Sequence, residues 1–308
     1  MSLPIQLAVA VGGLGLISLG DAEAVAAAAE AAGVAAIRLA DRSAHGPVLD
    51  PTVVAAYLAG RHGAIGYVPV LPTTGNAPYN AARRLLSLDR ATGGRTGVAL
   101  RPGHGDEVSE RNVPDPGATD PVRRWTEYAR VLARLWDSFP RAALIGDQRS
   151  GVVADDTLID PIHHEGTFYR VAGPLDGPSS AQGRPVVVAD LDAVGVTAAA
   201  TVADVVVADL DRAGGADTAL TRALGLAGRD RREVALLGRV RVTRADATGE
   251  LAARLRDAAD EHLLDGIELL PEGGAADIVA VLRALPPRPL APTLRSALGL
   301  RGQLVTPA

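Results

Sequence analysis

Short apolar runs alternate along this chain with longer stretches whose apolar residues recur at helical spacing. Leu7–Val11, Val34–Leu39, Ile65–Leu71 and Thr96–Leu100 are strand-length runs, followed respectively by the helical patterns Ala22–Ala32, Pro51–Arg61, Pro78–Asp89 and Val122–Trp136. The third unit shows the punctuation clearly. Pro72 closes the apolar run, Tyr79, Ala82, Leu85, Leu86 and Leu88 trace a helix face, and Gly93-Gly94 stops it. Four more units follow: Pro185–Ala189 with Ala193–Thr201, Val205–Ala208 with Thr218–Leu226, Val234–Val242 with Gly249–Leu263, and Ile267–Leu270 with Ala275–Leu285. Eight strand–helix units in 308 residues predict an α/β fold, a (β/α)8 TIM barrel in one domain over 1–308. The Pro- and Gly-rich stretch 139–184 is the one long connection, a loop insertion after the fourth βα unit, and its length suggests a lid.

An open doubly wound sheet is the competing architecture. Its one apparent motif is Gly12-Gly13-x-Gly15 after the first strand, with Asp41 ending the second. A dinucleotide fingerprint needs its third glycine inside the following helix. Here Leu16-Ile17-Ser18 intervenes and the helix begins after Asp21, so the glycines read as a flexible first loop.

Composition narrows the chemistry. Aromatics are only 3% of a chain that is 47% hydrophobic, so Ala, Val and Leu must fill the core. A formal charge of −5 without a basic block argues against nucleic acid as a partner. Every basic residue other than His is Arg, which removes lysine Schiff-base and P-loop chemistry, and zero Cys removes thiol nucleophiles and thiolate metal sites. Leu3–Leu19 is apolar, but no Lys or Arg precedes it and glycines interrupt it, so a cytoplasmic location without a membrane segment is expected. Chemistry in such a barrel belongs at the C-terminal strand ends, which carry Asp41, Arg42 and His45, Thr73 and Thr74, Arg101 and His104, Asp190 and Asp192, Asp209, Thr243 and Glu268.

Three sets of motifs point to a family. The first is Thr73-Thr74, Pro78-Tyr79, Ala82-Arg83-Arg84, Ser87-Leu88-Asp89 and Gly93-Gly94-Arg95. The second is Leu135-Trp136-Asp137-Ser138, then His164-x-Gly166, Val171-x-Gly173-Pro174-Leu175 and Gln182-Gly183-x-Pro185. The third is Asp265-Gly266-Ile267 with Thr293-Leu294-Arg295 and Leu298-Gly299-Leu300. In this order they resemble the nitrilotriacetate and dibenzothiophene-sulfone monooxygenase branch of the bacterial-luciferase-like flavin enzymes. The resemblance covers about Ala40 to Leu300.

It implies a luciferase-like barrel that uses reduced FMN as co-substrate, a flavin reductase as partner, O2, and a small sulfur- or nitrogen-containing organic substrate. It also implies a homodimer through Val53–Arg61 and Pro78–Asp89. The implied flavin-contacting positions are Asp41, Arg42, Thr73, Thr74, Tyr79, Arg101, Asp190, Asp192 and Glu268. The catalytic residue is unknown, with His104 and Arg101 as candidates, and no metal is expected.

Several of these positions depart from the family. Its Ala-Gly-x-Ser phosphate cradle is here Ala189-Asp190-Leu191-Asp192, its strand Asn is Glu268, and polar donors of its fourth strand have become Ala99, Pro102 and Gly103. Two carboxylates at a helix N-terminus would satisfy its dipole themselves and repel phosphate, by about 4 kcal/mol per unit pair at about 4 Å and an effective dielectric near 20. Three readings result: a reduced-flavin monooxygenase; a degenerate barrel, without cofactor, acting as a partner or ligand-binding protein; and another enzyme using His104 or a metal on Asp41, Asp190 and Asp192. The doublet His163-His164 reads as a loop anchor through His164.

Overall fold

A computed structural model of the chain describes residues 3–13, 16–104, 114, 115 and 117–300. Eight parallel strands close into a barrel: β1 (Ile5–Val9), β2 (Ala36–Leu39), β3 (Gly66–Pro72), β4 (Gly97–Arg101), β5 (Val186–Asp190), β6 (Val205–Asp209), β7 (Ala235–Val242) and β8 (Gly266–Pro271). Their order around the barrel is that of the chain, with β8 closing onto β1 through Ile5↔Ile267 and Gln6↔Glu268. The connecting helices are α1 (Leu19–Ala32), α2 (Pro51–Ala59), α3 (Pro78–Ala91), α4 (Pro121–Asp137), α5 (Leu191–Val202), α6 (Ala216–Leu226), α7 (Leu251–Glu261) and α8 (Ala275–Arg283). The open-sheet alternative is thereby ruled out. Of its glycine cluster, Gly15 lies outside the described residues. Gly12 answers a local need, since a Cβ there would sit 2.3 Å from the Pro47 carbonyl oxygen.

Strand alternation explains why several of these strands read as unbroken apolar runs. Outward residues such as Leu7, Ile37, Val187, Val206 and Leu269 pack against the helices, while inward Val68, Val70, Val186, Val188, Val205 and Val207 form a separate cluster inside the barrel. Both faces of each strand are buried, so both must be apolar over most of its length. Small side chains suffice because the interior is narrow.

The base of the barrel is plugged by α9 (Leu294–Ala297). Leu294, Leu298 and Leu300 join the inner cluster. A Cβ on Gly66 or Gly97 would lie 2.8 or 3.2 Å from the Leu294 side chain, so glycine at these strand starts lets the plug seat.

The motifs of the family resemblance converge here. Buried Asp89 accepts from Thr96 N (2.9 Å), from Gln182 Nε2 (2.7 Å) and from the Ser180 hydroxyl. Gln182 Oε1 accepts from Arg295 N (3.2 Å), and Arg295 pairs at 3.0 Å with buried Asp204, which also accepts from Val187 N. Leu294 N donates to Gly94 O at 2.9 Å. The Leu-Trp-Asp-Ser run ends α4, where Trp136 Nε1 donates to Ala82 O (3.0 Å) and Ser138 Oγ accepts from Leu175 N (2.9 Å).

The 139–184 excursion contains two short antiparallel ribbons, Leu144–Asp147 with Val152–Ala154 and His164–Glu165 with Arg170–Val171. Glu127 of α4 anchors its far end. One carboxylate accepts from His164 Nε2 (3.0 Å) and from the backbone N–H groups of Thr167, Phe168 and Tyr169 (2.9–3.1 Å). Tyr169 stacks edge-on against Tyr128 and donates its hydroxyl to Thr73 O at 2.8 Å, at the end of β3.

Burial pushes the Asp89 carboxyl up to about 6, outweighing the lowering by Ser180, Thr96, Gln182 and Arg295. A carboxyl with a raised folded-state pKa binds its proton more tightly when folded, so its stabilisation is present below the unfolded value near 4 and is lost as pH rises through 6. Replacing Asp89 by Asn should remove that dependence. Chemical denaturation at pH 4 and pH 7 is expected to show the variant gaining on the parent by up to about 3 kcal/mol across this window; a gap constant with pH would refute the assignment.

Candidate active site at the barrel mouth

Above the apolar inner layers the barrel interior turns ionic. Arg38 sits on β2 two residues after inward Ala36, Asp190 two after Val188 on β5, Arg239 two after Leu237 on β7, and Glu268 two after Gly266 on β8. Strand period places all four inside. Arg38 makes a two-pronged contact with Asp190 at 3.0 and 2.5 Å and reaches Glu268 at 3.3 Å. Arg239 meets Asp190 at 2.6 Å and Glu268 at 2.7 Å, and touches Asp209, the last residue of β6, at 3.4 Å. Gln6 of β1 donates to Glu268 at 2.5 Å. Glu268 and Gln6 are fully buried.

Each of these charges would be costly alone in the interior, and the closed ring supplies each with partners. Burial by itself would raise the Asp190 carboxyl, but Arg38 and then Arg239 hold it down to about 2. Burial would lower the Arg38 guanidinium, yet Glu268 and Asp190 raise it above its usual value. The Arg239 guanidinium is likewise raised, by Glu268 and Asp190 against burial.

This arrangement corrects the expectation of two carboxylates together at the α5 N-terminus. Asp190 occupies the N-cap position with extended backbone, yet its side chain makes no capping bond because it turns into the barrel. Asp192 faces solvent and pairs with Arg212 at 3.2 Å. Gly195, with φ 75° and ψ 158°, breaks α5 one turn in, so the first turn stands apart from the rest of the helix.

The rim carries the other positions read from the sequence. Arg101, ending β4, grips Asp41 through Nε at 3.0 Å and through Nη2. Arg42 is exposed and has no ion pair among the described residues. Thr73 is buried, and its Oγ1 accepts from Gly103 N at 3.2 Å. Thr74 is half-buried, and a Cβ on Gly103 would collide with it, at 2.1 Å from its hydroxyl oxygen. Asn76 spans Pro72 O and the Arg84 guanidinium. Tyr79 packs on α3 against the helix–barrel core. His104 is exposed at the end of its described segment. Asp41, Asp190 and Asp192 thus take different arginine partners, and among the described residues no group of three or more metal-ligating side chains converges.

The structure brings Asp190 and Glu268 together and leaves Arg42, Asp192 and His104 apart from them. Arg38, Arg239 and Gln6 are the members that sequence reasoning missed. Their signal was parity: each shares the inward phase of its strand, and a charge in that phase requires a partner across the barrel.

Comparison with known proteins bears on what this mouth does. The family model described as luciferase-like monooxygenase matches residues 1–277. A pristinamycin IIA synthase subunit of Streptomyces pristinaespiralis is 33% identical over 172 residues, 55% of this chain and 57% of that protein. Nitrilotriacetate monooxygenase component A of Aminobacter aminovorans is 34% identical over 150 residues, 46% of this chain and 32% of that protein. The chain therefore spans less than two thirds of the length of either relative. Among solved structures, the EDTA monooxygenase from Chelativorans sp. BNC1 shares the fold with a TM-score of 0.76 at 20% identity, covering 98% of this chain and 99% of that one.

Breaking the ring should cost stability in a pH-dependent way. Asp190 has a folded-state pKa below its unfolded value, so its contribution is present above about pH 4 and is lost as pH falls through 2. Asp190→Asn is expected to destabilise by about 2 kcal/mol at pH 7, with the deficit closing towards pH 2. Glu268→Gln, at a fully buried position, should cost more, about 3–5 kcal/mol. Urea titrations at pH 7 check both losses, and repetition at pH 2.5 checks the closing deficit of Asp190→Asn; a loss at Asp190 that does not change with pH would mean the ring is not an electrostatic unit.

Proposed function

Because the chain belongs to the luciferase-like monooxygenase family, we propose that it is the oxygenase component of a two-component monooxygenase. It takes reduced FMN from a separate flavin reductase and acts with O2 on a small sulfur- or nitrogen-containing organic substrate. Bound reduced FMN would supply the electrons that activate O2.

The observation that carries this reading is the α5 N-terminus. Asp190 turns away to Arg38 and Arg239, so it neither caps the helix nor presents free negative charge there. The uncapped backbone N–H groups of the first turn of α5, which Gly195 sets apart from the rest of the helix, would donate to a phosphate, and they fit that end of FMN despite the change from Gly and Ser to Asp. The repulsion expected from Asp190 is largely cancelled, and Asp192 is offset by Arg212. Around the rest of the flavin, Thr73, Thr74, Tyr79, Arg101 and the Asp41 beside it are the residues to hold and orient it, above the floor formed by Glu268 and its partners.

The excursion 139–184 serves as a lid: Glu127 fixes its tip and Tyr169 seats it on the rim at Thr73, limiting water at the mouth. A homodimer through α2 and α3 is supported on the α2 side alone, by Val53 and, just ahead of the helix, Leu49, large apolar side chains that are 65% and 44% exposed. The protein acts in the cytoplasm.

A second reading is favoured by the engagement of rim polar groups with one another, Thr73 accepting from Gly103, Asp41 from Arg101 and Asn76 from Arg84. In that reading the barrel is a non-catalytic partner, a role in keeping with a relative named as one subunit of a synthase.

Anaerobic titration separates the two. The first reading expects reduced FMN to bind at least about tenfold more tightly than reduced riboflavin, a difference of about 1.4 kcal/mol carried by the phosphate. Asp192→Ser should widen the gap, and NADH-coupled O2 uptake with an added reductase should rise with a sulfone, sulfonate or aminopolycarboxylate. Neither binding nor coupled uptake would leave the partner barrel.

A further inference from the structure

The base of the barrel, opposite the mouth, holds a cavity of about 110 Å3 between the starts of β1, β2 and β3 and the segment that leads into α9. Arg95 and Arg288 are among the residues that line it, together with the hydroxyl-bearing Thr293 and Ser296, and no Asp or Glu does so among the described residues. Arg95 belongs to the Gly-Gly-Arg run, a motif that the mouth does not use.

Neither arginine is matched. Arg95 Nη1 donates to Thr92 O at 2.8 Å, but its Nε is buried without a hydrogen-bond partner. Arg288 has no ion pair among the described residues, and its guanidinium is shifted down from its usual value by burial and by the neighbouring Arg256. Its segment packs directly on Gly33, its carbonyl oxygen 2.3 Å from where a Cβ there would be, an approach that glycine alone permits. A half-buried cation without a counter-charge is an unfavourable arrangement, and a buried donor without an acceptor is another. One bound anion would relieve both.

We propose that this cavity is a binding site for a small tetrahedral oxyanion, with inorganic phosphate as its ligand. A cavity of about 110 Å3 has room for a phosphate-sized ion, and its lining of arginines and hydroxyl-bearing residues without Asp or Glu sets the class. Arginine suits it, since a planar fork can donate two bonds to one oxyanion. Binding would tie the Pro286–Pro289 strap to the barrel base and raise the stability of the folded state.

The test is thermal unfolding of the full chain against phosphate, sulfate and chloride at matched ionic strength, with isothermal titration for affinity. Phosphate is expected to raise Tm saturably where chloride does not. Arg288→Ala should weaken phosphate binding at least about tenfold, and Arg288→Lys, which keeps the charge and loses the fork, should fall between. If chloride matches phosphate, the effect is only screening of Arg256 against Arg288 and the proposal fails. If phosphate binds equally well to both variants, it sits elsewhere, such as at the α5 N-terminus, and the proposal also fails while the reading of the mouth stands.

Discussion

A charge inside a narrow barrel must find its counter-charge on another strand, and this requirement organises the upper half of the molecule. Arg38 and Arg239 meet Asp190 and Glu268 across the interior, so β2, β5, β7 and β8 are tied by side chains as well as by backbone ladders. Removing one partner strands the others, which makes the ring cooperative. It also decides what the mouth offers a ligand: a self-neutralised floor in place of free carboxylates, and a helix N-terminus released from its own cap.

The two ends of the barrel divide the work. Asp89, Gly94, Gln182 and Arg295, which carry much of the resemblance to the family, form one buried polar system at the base and have no part in the mouth. They bind the end of the excursion, the start of β4 and the C-terminal plug into a single unit. A motif of this kind transmits fold, whereas the mouth is free to change its chemistry. That separation explains how a chain can keep the order of these motifs at the base while its mouth carries Asp190 and Glu268 in a closed ionic ring.

Glu127 joins the two ends. It stands on α4, whose C-terminal end helps build the base, and its carboxylate gathers three backbone N–H groups and His164 at the tip of the excursion. A carboxylate that accepts several donors at once holds a loop more firmly than dispersed contacts would. Tyr169 is thereby presented to the end of β3, and a segment that begins at the base reaches the rim.

Local chemistry determined the elements: run length and helical spacing marked eight strand–helix units, Gly93-Gly94 marked the end of α3, and the density of Pro and Gly marked the excursion. Strand parity also held the signal for Arg38 and Arg239, which were not read as site residues, beside Glu268, which was. Partnership was a different matter. Arg38 and Glu268 lie 230 positions apart and Arg38 and Asp190 152 apart, and no local pattern says which inward charges share a level once the barrel closes. The divergence of Asp190 from Asp192 was also decided in three dimensions. One ends a strand in its inward phase, the other begins a helix whose first turn faces Arg212, and two residues that are neighbours in sequence therefore serve opposite sides of the barrel wall.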